Sequence, residues 1–236
     1  MKPGTLYLIP TNLADPFSPG AILPTEVVST ALRLDHYVAE NAKSARAFLK
    51  ALGIARPLQE VGMVELNQHT PAAALEAMLE PLRAGKDLGL VSEAGAPGVA
   101  DPGAVLVALA HKNGIPVAPL VGPSSILLGL MASGLNGQKF AFHGYLAQEK
   151  NQRIKAIQEL ERESRQRRMT QIFIETPYRN QALLADLIAT LARDTRLCVA
   201  CNLTGSSQSI RMQPVADWRS GAVAIDRLPA LFLFLA

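Results

Sequence analysis

Acidic residues stand at several positions where a carboxylate would be available for chemistry. Glu40, Glu93 and Glu175 lie where short apolar runs end, and Asp101 lies in the turn-rich loop after the run Leu88–Ser92. Such charge-free runs are typical of strands covered on both faces in a parallel sheet, and ligands in open α/β sheets bind just beyond the carboxyl ends of the strands. A carboxylate there can accept a proton from a reacting hydroxyl. Each acid alone could equally be a cap, a turn residue or a surface residue.

The loop Glu93–Gly103 is the segment best able to bring bare backbone to a ligand. It contains three glycines and two prolines, so it is tight and preshaped. Within it, Asp101 is predicted to cap the next helix, with Pro102 at the first helical position and Gly114 beyond the last turn. A second loop, Val121–Ser125, follows the next predicted strand and opens another helix. These two strand-end loops form the predicted ligand site.

Several common chemistries lack their sequence signatures. No Walker A pattern and no G-x-G-x-x-G follows a predicted strand, which disfavours a nucleoside triphosphatase or an ordinary dinucleotide site. The segment Gly122–Ser125 does not match G-x-S-x-G, which disfavours an α/β-hydrolase. The four histidines have no metal-ligand spacing. Cys198 and Cys201 are spaced C-x-x-C but lie in a predicted strand, where positions i and i+3 face opposite sides, so we expect two buried thiols and no metal.

Predicted strands and helices alternate throughout the chain, which indicates an α/β fold with a largely parallel sheet and right-handed crossovers. Thr25, Ser44 and Thr70 are predicted to cap three of the helices. The polar break Asn136–Lys139 ends the first half, so we expect an N-terminal domain of residues 1–136 and a C-terminal domain of residues 137–236. The predicted strands are Gly4–Pro10, Tyr37–Glu40, Leu88–Ser92 and Ile115–Leu120.

The second half continues the alternation. A predicted helix over residues 151–168, and another that begins at Pro177 behind the cap Thr176, separate its strands. The predicted strands are Phe140–Leu146, Gln171–Glu175, Leu197–Asn202, Arg211–Met212 and Leu231–Leu235, the last two around a short element at Val215–Arg219.

The net charge of +3 originates in one predicted helix. The stretch Glu149–Arg168 contains seven of the 23 Lys and Arg residues and four of the 20 Asp and Glu residues, so sixteen of each sign remain elsewhere. Such a pattern is typical of a solvated helix face whose charges balance one another. A nucleic-acid substrate would instead use it for phosphate contacts.

The charge-free run Ile115–Leu135 is long enough to span a bilayer. Its prolines and glycines, however, divide it into a strand, a loop and a helix. The N-terminus leads directly into a predicted strand, without the apolar region and cleavage site of a secretory signal. We therefore expect a cytoplasmic protein without a membrane segment.

Four motifs occur in order along the chain and carry a family resemblance. They are Val91–Gly103, Pro119–Ser125, Phe142–Leu146 and Glu175–Arg179. Together they resemble the tetrapyrrole methylase superfamily, the class III methyltransferases that depend on S-adenosylmethionine. Within it the chain is most similar to the branch of ribosomal RNA small subunit methyltransferase I, and the resemblance covers nearly the whole sequence.

This resemblance implies two α/β domains of tetrapyrrole-methylase type, with S-adenosylmethionine bound in the cleft between them, and a homodimer. The missing glycine fingerprint agrees with it, since this class lacks the classical Rossmann methylase motif. Matched position by position, the residues expected to contact the cofactor are Pro10, Ala94, Gly95, Ala96, Val99, Ser124, Ser125, Ile174, Leu203 and Thr204.

The activity that the resemblance implies is 2′-O-ribose methylation of small-subunit ribosomal RNA, with that RNA or the small ribosomal subunit as the partner. A ribose hydroxyl is a poor nucleophile and gains from a base, so Glu175 first and Glu40 second are the predicted catalytic acids. Two alternatives remain. One is a C-methyltransferase acting on a precorrin- or uroporphyrinogen-type tetrapyrrole, and the other is a protein that binds S-adenosylmethionine without catalysis.

Overall fold

The computed structural model describes residues 2–218, 225 and 227–236, and its contacts divide the chain into two compact units on either side of the Ser124–Ser125 bond. The elements of the first unit are β1 (Leu6–Ile9), α1 (Pro19–Ile22), α2 (Thr25–Arg33), β2 (His36–Ala39), α3 (Ala42–Ala51), β3 (Gly62–Glu65), α4 (Ala72–Met78), α5 (Glu80–Arg83), β4 (Leu88–Val91), α6 (Gly103–Lys112) and β5 (Val117–Pro119). Those of the second are α7 (Ser125–Ser133), β6 (Phe140–Tyr145), α8 (Lys150–Arg167), β7 (Thr170–Glu175), α9 (Asn180–Thr190), β8 (Arg196–Cys201), β9 (Ser209–Pro214), α10 (Val215–Trp218) and β10 (Ala230–Leu235).

The first unit is built on a parallel sheet with the strand order β3-β2-β4-β1-β5, which confirms the α/β prediction for this half. Side chains alternate between its two faces. Tyr37 packs in one apolar cluster with residues of α2 and α3, whereas the next residue, Val38, packs in another with residues of α4, α5 and α6. Because helices cover both faces, the strands are short apolar runs.

The second sheet has the order β6-β7-β10-β8-β9, and among the described strands only the β6–β7 pair is parallel. The expectation of a largely parallel sheet is therefore wrong for this half. The seven residues Asn202–Gln208 that join β8 to β9 are too few for a crossover. The last strand, β10, then inserts between β7 and β8 and runs antiparallel to both.

Helix α7 groups with the second unit. Its residue Gly129 lies so close to β10 that an added Cβ would be 2.3 Å from Cδ2 of Leu231. The predicted boundary after Asn136 would place this helix in the N-terminal domain, whereas its contacts with β8, β9 and β10 place it in the second unit.

The helix caps differ from the predicted ones. Asn41, rather than Ser44, caps α3, because its side chain accepts hydrogen bonds from the N–H groups of Lys43 and Ser44 at 2.9 and 3.2 Å. Helices α2 and α4 have prolines at the cap position and no side-chain cap, so the threonines predicted there do not act as caps. Thr176 precedes a single 3-10 turn, Pro177–Arg179, and makes no side-chain cap either.

Helix α8 begins one residue before the predicted start and ends at Arg167. Glu149 caps it by accepting hydrogen bonds from the N–H groups of Asn151 and Gln152 at 2.8 and 2.7 Å. These two hydrogen bonds hold the pKa of Glu149 below its usual value. Of the short element predicted at Val215–Arg219, the helix Val215–Trp218 is present, and Arg219 lies outside the described residues.

No helix within the described ranges combines the length and the hydrophobicity that crossing a membrane requires. The charge-free run Ile115–Leu135 is divided between β5 and α7.

Candidate functional site

The carboxyl ends of β1, β2, β4 and β5 lie at one edge of the first sheet, because these strands are parallel neighbours. We call this the first-sheet edge. It is formed by the segments that directly follow the four strands, namely Pro10–Asn12, Glu40, Ser92–Asp101 and Leu120–Ser124. The sequence-predicted residues Glu40, Glu93 and Asp101 all lie on it.

The central loop of the first-sheet edge is held in shape by hydrogen bonds from residues that follow β1 and β4. The N–H of buried Thr11 donates to the carbonyl of Gly95 at 2.9 Å, and the hydroxyl of Ser92 donates to the same carbonyl at 3.3 Å. Gly95 has φ +75°, and an added Cβ would lie 3.0 Å from Cδ2 of Leu13. Only glycine adopts this conformation without strain, so buried Gly95 fixes the path of the loop, which exposes the neighbouring residues Ala94 and Val99.

The other predicted contacts on this edge surround Gly95. Ala94 and Val99 are exposed, and Ala96 is half-buried. The loop after β5 rests on Pro10, since a Cβ added to Gly122 would lie 2.1 Å from Cγ of that proline. Ser124 and Ser125, both half-buried, follow directly. The edge therefore offers exposed or half-buried residues, most of them with small side chains, along a preshaped loop.

Asp101 fastens the two ends of the central loop together. Its carboxylate accepts hydrogen bonds from the N–H of Gly98 at 2.9 Å and from the N–H of Gly103, the first residue of α6, at 2.6 Å. The N-cap position is occupied by Pro102, whereas the prediction placed Asp101 there. Asp101 therefore lies one residue before the N-cap and still accepts a hydrogen bond from the first turn of α6. Burial raises the pKa of Asp101, and the hydrogen bonds from Gly103 and Gly98 oppose that rise.

Glu40 is the half-buried acid of the first-sheet edge. Burial is the main reason that its pKa is raised, and the charges of Glu93 and Asp101 raise it further, against a hydrogen bond from the backbone of Glu93. The Glu93 side chain accepts a hydrogen bond from the hydroxyl of Ser44 at 3.2 Å. An acid with a raised pKa beside a preshaped loop is suited to accept a proton from a substrate.

Glu175 belongs to the second unit and lies in a different setting. Its side chain is 1% exposed, and Oε1 accepts hydrogen bonds from the N–H of Thr176 at 2.6 Å and from Nε and Nη2 of Arg179 at 2.9 and 2.5 Å. This oxygen is therefore committed to a buried ion pair. Arg179 was missed by the sequence reasoning, although its four-residue spacing from Glu175 is a signal that could have indicated the pair.

Of the other predicted cofactor residues, Ile174 lies in β7, and Leu203 and Thr204 lie in the loop after β8. Thr204 has φ +69°, an unfavourable conformation for a β-branched residue, and its N–H donates to Oε1 of Gln208 at 2.8 Å. Its hydroxyl oxygen is buried and has no hydrogen-bond partner among the described residues. Buried polar atoms without partners are uncommon and costly, so this hydroxyl marks a position suited to a polar group of a ligand.

The carboxyl ends of β7 and β8 form what we call the second-sheet edge, which comprises Ile174–Arg179 and Asn202–Gln208. Ala230 of β10 pairs with both Glu175 and Cys201, so the ends of β7 and β8 are separated by one strand.

The charge of helix α8 is largely compensated within the second unit. Arg153 is buried, and its Nε donates to Oδ2 of Asp186 at 2.9 Å. Arg165 lies 3.5 Å from Asp194, and Arg167 lies 3.3 Å from Glu163. In the part of the chain that the structure describes, no ion pair involves the remaining exposed cations of the helix, which are Lys155, Arg162 and Arg168.

The two cysteines do not form a reactive or metal-binding site. Cys198 and Cys201 are both buried and unpaired, and burial raises the pKa of Cys198 to about 12. Such thiols stay protonated and are poor ligands and nucleophiles. Among the described residues there is no group of three His, Cys, Asp or Glu side chains able to hold a metal ion.

Comparison with solved structures relates the fold to known enzymes. The structure is similar to diphthine synthase, with a TM-score of 0.66, 14% sequence identity, and coverage of 99% of this chain and 90% of the other. It is also similar to a cobalamin biosynthetic enzyme, cobalt precorrin-4 methyltransferase, with a TM-score of 0.62, 14% identity, and coverage of 98% and 94%. At these identities the likeness concerns the fold.

Comparison of sequences identifies relatives at higher identity. Proteins named ribosomal RNA small subunit methyltransferase I are 32% identical in Synechocystis sp., over 85% of this chain and 67% of the relative, and 30% identical in Escherichia coli O157:H7, over 91% and 70%. The protein of that name in Xylella fastidiosa is 33% identical over 91% of this chain and 77% of its own length. The family model of tetrapyrrole (corrin/porphyrin) methylases matches residues 26–217. The chain therefore belongs to the tetrapyrrole methylase family and is a methyltransferase of the branch that contains the ribosomal RNA small subunit methyltransferase I proteins.

Proposed function

We propose that this protein transfers the methyl group of S-adenosylmethionine to a ribose 2′-hydroxyl of small-subunit ribosomal RNA. The observation that carries the proposal is the first-sheet edge, where the glycine loop around Gly95 and the half-buried carboxylate of Glu40 lie on neighbouring strand ends. The names of the relatives support an RNA substrate.

We propose that residues on each edge contact the cofactor that the family implies. S-adenosylmethionine carries its methyl group on a sulfonium and needs backbone acceptors, a shaped apolar surface and a few polar partners. On the first-sheet edge we assign these to Pro10, Ala94, Gly95, Ala96, Val99 and Ser124, and we also assign Ser125, the first residue of α7. On the second-sheet edge we assign Ile174, Leu203 and Thr204, of which Thr204 contributes the buried hydroxyl without a partner among the described residues.

The predicted catalytic acids take different roles in this proposal. Glu40 is the proposed base, because it is half-buried, its pKa is raised, and no ion pair holds it within the described residues. Glu175 is the first of the two predicted acids, but its Oε1 is occupied by Thr176 and Arg179. We therefore propose that Glu175 positions Arg179 and that Glu40 removes the proton from the ribose hydroxyl.

Methylation mapping tests the proposal directly. Small-subunit ribosomal RNA from cells that lack the gene is incubated with the purified protein and S-adenosylmethionine, and ribose methylation is measured by mass spectrometry. We expect one new 2′-O-methylated nucleotide. Methylation of a precorrin- or uroporphyrinogen-type tetrapyrrole instead would favour the alternative substrate. The cobalt precorrin-4 methyltransferase has a similar fold. Absence of transfer to either substrate, with cofactor binding intact, would favour the non-catalytic alternative.

Replacing Gly95 by valine tests the cofactor assignment. The side chain would meet Leu13 and strain the backbone at φ +75°, which should displace the loop that holds Ala94 and Ala96, so we expect cofactor affinity to fall by at least about tenfold. Gly114 is the matched control, because its φ of +65° imposes a comparable strain while a Cβ there meets nothing within 4 Å. We expect Gly114→Val to lose stability but retain cofactor affinity by calorimetry. Equal affinities in the two folded variants would contradict the assignment.

The uncompensated cations of α8 are the proposed electrostatic contact for RNA. Reversing Lys155 and Arg162 to glutamate should flatten the salt dependence of RNA binding by about 0.7 per lost phosphate contact on a single strand. The control is Lys112→Glu, since Lys112 is exposed and lies in the last turn of α6, in the first unit. A double variant with the wild-type salt slope would make α8 a bystander.

We further infer a cytoplasmic homodimer, which the family resemblance supports. Light scattering of the purified protein should give twice the mass of the 25.3 kDa chain, and a monomer at micromolar concentration would contradict this inference.

A further inference from the structure

The second-sheet edge presents an exposed aromatic ring on a rigid turn. Tyr178 is 80% exposed, although large apolar surfaces are normally at least partly covered. It is the middle residue of the 3-10 turn Pro177–Arg179. Hydrogen bonds fix both sides of this turn: the N–H of Arg179 donates to the carbonyl of Thr176 at 2.9 Å, and the N–H of Arg227 donates to the carbonyl of Pro177 at 3.3 Å. The ring is therefore held out from the protein by an ordered backbone.

The residue beside the ring is an arginine whose orientation is fixed. Nε and Nη2 of Arg179 both bind Oε1 of Glu175, and Nε also lies 3.1 Å from the hydroxyl oxygen of Thr176. The Arg179 side chain is 26% exposed, whereas that of Glu175 is 1% exposed. Within the described residues, no hydrogen bond is made by Nη1 of Arg179. The guanidinium thus keeps one set of donors available next to Tyr178.

We propose that Tyr178 and Arg179 together bind one unpaired nucleotide of the RNA substrate, with the Tyr178 ring stacked on its base and Nη1 of Arg179 donating to it. This inference rests on the proposed function, because it requires an RNA substrate. Single-stranded RNA is recognised by stacking its splayed bases on aromatic side chains and guanidinium planes. Glu175 acts as a positioning residue, since its buried carboxylate fixes the direction of Arg179.

The electrostatics of the pair determine the kind of contact. Arg179 and Glu175 carry opposite charges in direct contact, so together they contribute little net charge. Their contribution is therefore directional hydrogen bonding, and that of Tyr178 is stacking. Neither releases many counterions, so this contact should affect RNA affinity with little effect on its salt dependence. This property separates it from the cations of α8.

The decisive variants change Tyr178, because a side chain that is 80% exposed can be replaced without disturbing the core. We expect Tyr178→Ala and Tyr178→Leu to bind small-subunit ribosomal RNA from cells lacking the gene about tenfold more weakly, within the range for one stacked base. The salt slope and the cofactor affinity should stay as in wild type. Tyr178→Phe, which keeps the ring, should bind like wild type.

Two controls make the result specific. Val64→Ala removes an apolar side chain that is 50% exposed on β3 of the other unit, and it should leave RNA affinity unchanged. A fully double-stranded RNA of equal length offers no unstacked base, so wild type and Tyr178→Ala should bind it equally.

A further variant tests the contribution of the arginine. Arg179→Lys keeps the charge but loses the planar donors, and it should weaken single-stranded RNA binding.

Opposite outcomes have distinct meanings. If wild type methylates the RNA and Tyr178→Ala binds it equally well, the stacking contact is wrong while the proposed function stands. If Tyr178→Leu binds like wild type, the contact is apolar rather than aromatic, and the inference is also wrong. If wild type neither binds nor methylates the RNA, the proposed function itself fails.

Discussion

Replacing Glu40 by glutamine is expected to lower turnover by about 10²–10⁴-fold at saturating cofactor, the usual contribution of a positioned base. Glutamine has the same shape and can still accept the hydrogen bond from the backbone of Glu93, but it cannot take the proton of a ribose hydroxyl. The change therefore removes the proposed chemical role with little change in packing. Single-turnover methylation of small-subunit ribosomal RNA measures it.

The pH dependence gives this prediction a second readout. A base acts in its ionised form, so kcat/KM of the wild type should reach its full value at pH values above the raised pKa of Glu40. It should fall as the pH decreases through that pKa. That acidic limb should be absent in Glu40→Gln. Glu93→Gln is the matched control, because removing the charge of Glu93 lowers the pKa of Glu40 and should shift the limb to lower pH while turnover is retained.

Stability should change in the opposite direction to activity. A carboxyl whose pKa is raised on folding binds its proton more tightly in the folded state, so its contribution to stability is present below the unfolded pKa and is lost as the pH rises through the folded pKa. At neutral pH the Glu40→Gln variant should therefore be at least as stable as the wild type. Full turnover in this variant, or a loss of activity that parallels unfolding, would exclude Glu40 as the base.

Replacing Asp186 by alanine is expected to lower the free energy of unfolding by about 3–5 kcal/mol, the cost of leaving a buried charge without its partner. The side chains of Arg153 and Asp186 are 9% and 10% exposed, and Nε and Nη2 of the arginine lie 2.9 and 2.5 Å from the same carboxylate oxygen. Nη1 of Arg153 also donates to the carbonyls of Ala147 and Gln148 at 3.1 and 2.7 Å. These bonds anchor the guanidinium, so it cannot easily turn into solvent.

Urea unfolding of the purified variants measures this effect. Asp194→Ala is the matched control, because it removes the same kind of partner from an arginine of the same helix, at 3.5 Å and with side chains that are 52% and 75% exposed. Solvent screens such a pair, so we expect no measurable change. The double change Arg153→Met with Asp186→Leu should recover most of the stability, because it removes both charges together. An Asp186→Ala variant as stable as Asp194→Ala would show that this ion pair does not support the fold.

The sequence by itself determined four of the five strands of the first sheet and the edge that holds the candidate site. The fifth strand, β3, was not predicted, because it lies at the side of the sheet, is largely exposed and lacks a buried apolar run. Short charge-free runs bounded by Gly, Pro and acidic residues are what a strand needs when helices cover both of its faces, so β1, β2, β4 and β5 were recognisable from local pattern. The same pattern placed Glu40, Glu93 and the glycine loop at strand ends. The ordered motifs also indicated the family, which the comparisons confirm.

Only the tertiary structure decided the features that depend on residues distant in the chain. The direction of β10 follows from its insertion between β7 and β8, which no local pattern encodes. Two of the arginines of α8 pair with Asp186, which lies on α9, and Asp194, which follows α9. A count of charges along α8 alone therefore overstates its unpaired positive charge. The environments of the two predicted acids also differ for this reason. Desolvation and neighbouring charges raise the pKa of Glu40, whereas Arg179 and the backbone of Thr176 occupy Oε1 of Glu175, and these surroundings exist only once the chain has folded.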